Sequence, residues 1–133
     1  MKTARAYLYA RSPDELARSL SKRLAAAGVE HAITGAAAAN RLAPFVTAVP
    51  VVDLWHEGSQ GPEDVCEAAG AELVTEGSNI LLRRAAGDGP LAFRELQDGV
   101  YLANRFRVYL DVRQDPRRGE EQAQHLRTEV IGF

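Results

Sequence analysis

The sequence has little cysteine and no long apolar run. Cys66 is the only cysteine among 133 residues, which excludes an internal disulfide and a Cys-x-x-Cys metal site and is compatible with a reducing compartment. No apolar run approaches the roughly 18 residues that a membrane-spanning helix needs, and no export signal is evident. The sequence therefore predicts a cytoplasmic protein with no membrane contact.

An excess of charge of one sign is also missing. There are 16 Lys and Arg residues against 18 Asp and Glu residues, so no overall basic field draws the chain onto nucleic acid. A chain of this length, 46% hydrophobic, is long enough to bury a real core. No linker long enough to divide it is visible, so we predict a single domain over residues 1–133.

The stretch 29–55 is the predicted framework of the fold. It reads as a strand, a turn, a short alanine-rich helix and a second strand. Thr34 is expected to cap the helix, Gly35 to supply the turn, and Pro44 to end the helix. The segment PVVDLW is apolar on both faces, as an interior strand is. Asp53 is therefore expected near the middle of the fold.

Capping and turn residues predict the other elements. They are a strand over 4–10, a helix over 12–28, a helix over 61–70, a tight reversal at 77–79 between two strands, and a hairpin turn at 98–99. This order predicts an α+β (mixed α/β) domain, with a central mixed sheet and flanking helices, closed by two C-terminal helices. A degenerate nucleotidyltransferase-like fold is one form that it could take.

The first closing helix is expected to begin after Asn104, which can cap it. Its apolar residues fall on two faces, with Phe106, Tyr109 and Leu110 on one and Val108 and Val112 on the other. We therefore expect this helix to be nearly enveloped by the rest of the domain.

The framework resembles the nucleotidyltransferase pattern, in which a strand and a Gly-Gly or Gly-Ser turn precede a strand bearing Asp-x-Asp that holds Mg²⁺. Here the turn is Gly35-Ala36. Asp53 is followed two positions later by Trp55 and preceded two positions earlier by Val51. A lone carboxylate cannot form a two-metal clamp, so we expect Asp53 to have no carboxylate partner. We predict no catalytic residue, no cofactor and no metal site.

The other residues of common catalytic type form no motif. His31, His56 and His125 are scattered, two of them in loop or surface contexts, and are interpreted as structural. Cys66 lies in a helix pattern and is interpreted as a small buried hydrophobe.

Arginines are concentrated near the C-terminus. They are Arg105, Arg107, Arg113, Arg117 and Arg118. Arginine favours bidentate pairing with carboxylate or phosphate, so these five are the candidate partner-binding residues. The alternative is a solvated charged face, since exposed charges contribute little.

Three segments together resemble a known family: AITGAAAANRLAP, SNILLRR, and DGVYLANRFRVYLDVRQDPRRGEEQAQHLRTEVIGF. The most specific parts are 109–111 and 115–121. From about Val29 onward the chain is similar to the C-terminal domain of AbiEi-type antitoxins and related winged-helix transcriptional regulators of type IV toxin–antitoxin (abortive-infection) systems.

The resemblance implies that the single domain over residues 1–133 is regulatory or antitoxin-like. In that family a winged helix-turn-helix precedes it and binds the operator, while the C-terminal domain is linked to neutralising a cognate nucleotidyltransferase toxin. The DNA-binding half is missing from this sequence, so we expect DNA contact only through a domain absent from this chain. The family has no catalytic motif that can be matched to residues of this sequence.

Two functions remain open. The first is a non-catalytic regulatory domain, not an enzyme, that acts by protein–protein interaction. The alternative is a nucleotide-binding or nucleotidyltransferase-like enzyme that uses Asp53. An open cleft shared by Asp53, a second carboxylate and the Gly35 backbone would favour the alternative.

Overall fold

The computed structural model describes residues 3–45 and 49–132. In chain order these residues form β1 (Thr3–Tyr7), α1 (Pro13–Ala26), β2 (His31–Thr34), α2 (Gly35–Leu42), β3 (Val52–His56), α3 (Pro62–Ala69), β4 (Glu72–Leu73), β5 (Ile80–Arg84), β6 (Glu95–Gln97), β7 (Val100–Leu102), α4 (Arg105–Arg113) and α5 (Gly119–Leu126). A 3₁₀ turn (Gly89–Leu91) precedes β6, and a π-helical turn (Arg127–Ile131) follows α5. None of the helices in this part of the chain is long and apolar enough to cross a membrane.

The strands form one mixed sheet in the order β4-β1-β5-β3-β2-β7-β6. The β3–β5 and β2–β7 pairs are parallel, and the other pairs are antiparallel. Helices α1, α2 and α4 all contact β2, whose four residues are buried. The predicted α+β class, with a central mixed sheet, flanking helices and two closing C-terminal helices, is confirmed.

The framework folds largely as predicted. Strand β3 lies in the sheet interior between β5 and β2, and Gly35 begins α2 with a φ of +66°. The helix ends one residue before Ala43, which is extended and precedes Pro44. The predicted cap is wrong, because the Thr34 side chain makes no capping bond and its hydroxyl donates to the Asp111 carboxylate at 2.7 Å.

Local caps and the hairpin turn are confirmed. The Ser12 hydroxyl accepts a hydrogen bond from the backbone N–H three residues later at 3.1 Å, and the Asn104 side chain does the same for α4 at 3.0 Å. Asp98 and Gly99 both have positive φ, at 54° and 81°, and join the antiparallel pair β6–β7.

The predicted reversal between β4 and β5 does not pair those two strands, because β1 lies between them. Ala6 is opposite Leu73 on one side and Ile80 on the other. The turn therefore passes over the end of β1, where the Asn79 side chain bonds the backbone N–H and C=O of Leu8 at 3.1 and 2.8 Å.

The expectation that α4 is enveloped is wrong. Val108 and Val112 are fully buried, but Phe106 is 61% and Leu110 47% exposed. Helix α4 contacts α2, α5, β2 and the π-helical turn that follows α5.

Candidate functional site

A cleft of about 280 Å³ lies where the α4–α5 connection approaches the sheet. It also contains the start of α2 and residues of β1, β3 and β5. Its charged residues are three arginines and three aspartates: Arg5, Arg83, Arg117, Asp53, Asp111 and Asp115.

Asp53 is therefore not isolated from other acids, and the prediction that it has no carboxylate neighbour is wrong. Asp111 and Asp115 line the same cleft. Burial raises the pKa of Asp53, and the negative charges of Asp115 and Asp111 raise it further, while the bonded Arg83 lowers it. Sequence spacing could not show this cluster, because its members come from distant segments that only the tertiary fold brings together.

The nearest partner of Asp53 is Arg83. Its guanidinium donates to the Asp53 carboxylate at 2.8 Å, and the two side chains are only 17% and 18% exposed. They lie on neighbouring parallel strands, β5 and β3. The guanidinium also lies 5.8 Å from the centre of the Trp55 ring. The Arg83 Nε atom is buried and has no hydrogen-bond partner within the part of the chain that the structure describes.

Asp111 joins α4 to the sheet. One of its carboxylate oxygens accepts from the Thr34 hydroxyl at 2.7 Å and from the Trp55 indole N–H at 2.8 Å. Arg107 lies 3.8 Å from the other oxygen and 5.6 Å from the Trp55 ring centre. The carboxylate of Asp111 is therefore engaged by its own chain, and its side chain is 9% exposed.

Asp115 organises the turn between α4 and α5. Its carboxylate accepts from the Arg117 backbone N–H at 2.9 Å and from the Arg117 guanidinium at 3.0 Å. The Gly119 N–H donates to the Asp115 carbonyl at 3.1 Å. A Cβ on Gly119 would lie 2.1 Å from the Val112 carbonyl oxygen, so the turn requires glycine. The turn thereby presents Asp115 and Arg117 to the cleft.

Gly35 brings the α2 backbone close to the acid cluster. A Cβ at this position would meet the Asp53 carboxylate at 3.2 Å. The cleft thus combines Asp53, further carboxylates and the Gly35 backbone. No group of three His, Cys, Asp or Glu residues that could hold a metal ion is found among residues 3–45 and 49–132.

The five candidate partner-binding arginines do not form one surface. Arg117 lines the cleft and Arg107 lies beside it, over Trp55. Arg105 instead pairs with Glu95 of β6 at 3.1 Å.

The other two arginines contact aromatic rings. Arg113 lies 5.4 Å from the ring centre of Tyr109. Arg118 lies 4.9 Å from the ring of Phe45 and pairs with Glu121 at 3.2 Å. Whether any of the five binds a partner stays a prediction.

Two of the three histidines, His31 and His56, are buried, and the burial of His56 corrects its expected loop context. His31 and His56 are opposite each other on β2 and β3 and are 0% and 1% exposed. The Ser21 hydroxyl accepts from the Tyr101 N–H at 3.0 Å and is hydrogen-bonded to His31 Nε2 at 2.7 Å. His31 Nδ1 donates to the Val29 backbone carbonyl at 3.0 Å, and burial lowers the pKa of the ring, which favours its neutral form.

Cys66 is 5% exposed, and its burial raises the pKa of its thiol. The prediction of a small buried hydrophobe is confirmed.

Sequence reasoning placed Phe106, Tyr109 and Leu110 on one face of α4 but missed that Phe106 and Leu110 are exposed. Residues spaced by three, four and seven positions share one side of a helix. We call the four such residues of α4 the α4 stripe: Phe106, Tyr109, Leu110 and Arg113. The sequence pattern did not show which face of α4 is buried, because apolar residues occur on both sides of this helix.

The fold and the cleft define a class of protein: an α+β domain on a seven-stranded mixed sheet, with a cleft in which arginines and aspartates bond each other. No protein-family model, no curated protein and no solved structure matches the chain.

Proposed function

We propose that the chain is a non-catalytic regulatory domain of the AbiEi antitoxin kind, which acts by binding another protein. The observation that carries the proposal is that each acid of the cleft is bonded within the chain. Asp53 accepts from Arg83, Asp111 from Thr34 and Trp55, and Asp115 from Arg117.

These bonds oppose catalysis by the acids. A catalytic carboxylate must turn its oxygens to a metal ion or a substrate. In this cleft, such a rearrangement would leave the mostly buried Arg83 guanidinium without its carboxylate. Removing one partner of a buried ion pair lowers the free energy of unfolding by about 3–5 kcal/mol. The cleft is therefore better suited to hold the fold together than to perform chemistry.

The residues that carry the resemblance also have structural roles at this cleft. Segment 109–111 contributes Asp111, which fixes α4 to β2 and β3. Segment 115–119 forms the turn that fixes α5. This supports a regulatory domain whose rigid C-terminal helices present a surface to a partner. The proposed partner is a nucleotidyltransferase toxin in the cytoplasm.

The test is co-expression with a nucleotidyltransferase encoded by the adjacent gene. We expect the chain to restore growth that the enzyme alone inhibits, and the two proteins to co-elute in size-exclusion chromatography. Continued growth inhibition without co-elution, or the lack of such a gene beside this one, would contradict the proposal.

A second candidate is a nucleotide-binding or nucleotidyltransferase-like enzyme that uses Asp53. It is favoured by the cleft that Asp53 shares with two more carboxylates and the Gly35 backbone. Calorimetry with Mg²⁺ and nucleoside triphosphates separates the candidates. We expect no saturable heat. A saturable heat that Asp53→Ala abolishes, and that the exposed-site control Asp88→Ala keeps, would establish the enzyme reading instead.

A further inference from the structure

We infer that the cleft beside Asp53 is a binding site for one carboxylate group, which Arg5, Arg83 and Arg117 would hold. The carboxylate belongs either to a small free acid or to an acidic side chain of a bound protein. Only the second source rests on the proposed function.

The first argument is the placement of two of these arginines on the sheet. Arg5 of β1 is opposite Leu81 of β5, which is opposite Asp53 of β3, so the three side chains share one face of the sheet. Arg83 follows Leu81 by two residues and therefore lies on the same face. Arg5 is exposed, whereas the Arg83 side chain is only 17% exposed. The cleft thus has a buried end at Arg83 and an accessible end at Arg5.

The second argument is the supply of unused donors. A guanidinium has five N–H donors, and a carboxylate has only acceptors. The Arg83 side chain donates one hydrogen bond to Asp53, and the Arg117 side chain donates one to Asp115. Within residues 3–45 and 49–132, the Arg5 side chain has no hydrogen bond or ion pair. The cleft can therefore donate to a ligand without breaking the bonds that its own acids accept.

The third argument is the balance of charge. The cleft and its edge carry four arginines: Arg5, Arg83, Arg107 and Arg117. They also carry three aspartates, each of which already accepts a hydrogen bond from its own chain. Four positive groups against three negative ones leave an excess of one positive charge. A single monoanion would neutralise this excess.

Size and charge favour a carboxylate over a nucleotide. The cleft volume of about 280 Å³ is below the roughly 300–1,000 Å³ of pockets for drug-sized ligands, so the cleft fits one small group. A phosphate group carries about two negative charges near neutral pH. Its second charge would be repelled by the three aspartates of the cleft. A carboxylate carries one charge and matches the planar fork of arginine.

The test titrates the purified chain with sodium acetate at constant ionic strength and follows the backbone amide signals by NMR. Acetamide is the control ligand, because it has the shape of acetate without the charge. We expect acetate to shift the signals of Gly35 and Gln114, which line the cleft, up to a saturating value, and acetamide to leave them unchanged. Inorganic phosphate should bind at least about threefold more weakly than acetate.

The variant Arg5→Gln removes the accessible cation and keeps a polar side chain. It should raise the Kd of acetate about fivefold, since a contact with an exposed arginine contributes modestly. The matched control is Lys22→Gln, which removes an exposed positive charge of α1 and should change the Kd less than about twofold. Unchanged amide signals away from the cleft verify that both variants are folded.

Three results would overturn the inference. The first is a lack of saturable shifts at the cleft with acetate. The second is binding of acetamide or phosphate as tight as that of acetate. The third is an equal Kd for acetate in Arg5→Gln and the wild type.

The nucleotidyltransferase from the co-expression experiment distinguishes the two sources of the carboxylate. If an acidic side chain of the partner fills the cleft, Arg5→Gln should weaken the complex and the bound partner should exclude acetate. If a free acid is the ligand, the complex should be insensitive to Arg5→Gln and still bind acetate. A chain that binds acetate but no partner would support the inference while the proposed function fails.

Discussion

At the residue scale, the cleft shows how an acid and a base can be kept together away from water. Asp53 and Arg83 lie on adjacent parallel strands at the same side of the sheet, bonded at 2.8 Å. Burial alone would disfavour the charge on Asp53, and Arg83 opposes that effect. Each member of the pair therefore depends on the other.

Replacing Arg83 should expose this dependence. Arg83→Leu leaves the Asp53 charge buried and unpaired, so the free energy of unfolding at pH 7 should fall by about 3–5 kcal/mol. The loss should shrink as the pH is lowered, because a protonated Asp53 needs no cation. Urea denaturation at several pH values measures this. The double variant Asp53→Asn, Arg83→Leu should recover stability, and a loss of the same size at every pH would refute the explanation.

The two buried histidines predict a pH dependence of stability. Burial is the largest effect on His31 and His56 and lowers the pKa of both. Below about pH 6.5 the unfolded chain takes up protons that the folded chain refuses, so stability should decrease as the pH falls. Each histidine contributes at most about 1.4 kcal/mol per pH unit.

The variant His31→Gln measures how much of this pH dependence comes from His31. It should show a smaller dependence of unfolding free energy on pH between 6.5 and 5 than the wild type does. Denaturant titrations at each pH give the slope. The same slope in wild type and His31→Gln would mean that another group carries the effect.

At the element scale, α4 explains why one prediction failed. Its apolar residues lie on two sides, and a helix with two apolar sides is normally buried. The structure buries Val108 and Val112 fully, whereas Phe106 and Leu110 remain well exposed. Which side is covered depends on how α2, α5 and β2 pack against the helix. It therefore depends on contacts between residues that are far apart in the sequence. By contrast, the cap at Asn104 and the turn at Asp98 were predictable, because they rely on neighbouring backbone alone.

The α4–α5 turn predicts a strict requirement for Gly119. In Gly119→Ala the new Cβ would lie 2.1 Å from the Val112 carbonyl oxygen, so the backbone must shift. We expect a loss of about 1–3 kcal/mol in unfolding free energy, as for overpacked sites. Gly87→Ala is the control, since its Cβ would meet nothing within 4 Å. Equal stability of the two variants in thermal melts would contradict the turn geometry.

At the scale of the whole molecule, the sheet joins segments in an order that local sequence signals do not reveal. The interior position of β3 was predictable from its continuous apolar run. The insertion of β1 between β4 and β5 was not, because strand neighbours are chosen by the tertiary fold. The acid cluster was missed for the same reason, since Asp111 and Asp115 reach Asp53 only after α4 has packed on β2 and α2.

The order of the strands predicts that rates of amide hydrogen exchange rise from the centre of the sheet to its β4 edge. Strands β3 and β5 are bonded on both sides, whereas β4 is a two-residue edge strand with exposed residues. Amides in the sheet centre, such as that of Val52, should exchange slowest, and those beside β4, such as that of Val74, much faster. Amide exchange followed by NMR tests this, and protection at Val74 equal to that at Val52 would contradict the strand order.

The placement of Trp55 has a practical consequence. It is the only tryptophan in the chain, its indole N–H is bonded to Asp111, and its ring lies near Arg83 and Arg107. Intrinsic fluorescence therefore originates from a single position beside the cleft. The protein carries its own spectroscopic reporter, and titrations of unlabelled material can follow events at this junction between helix and sheet.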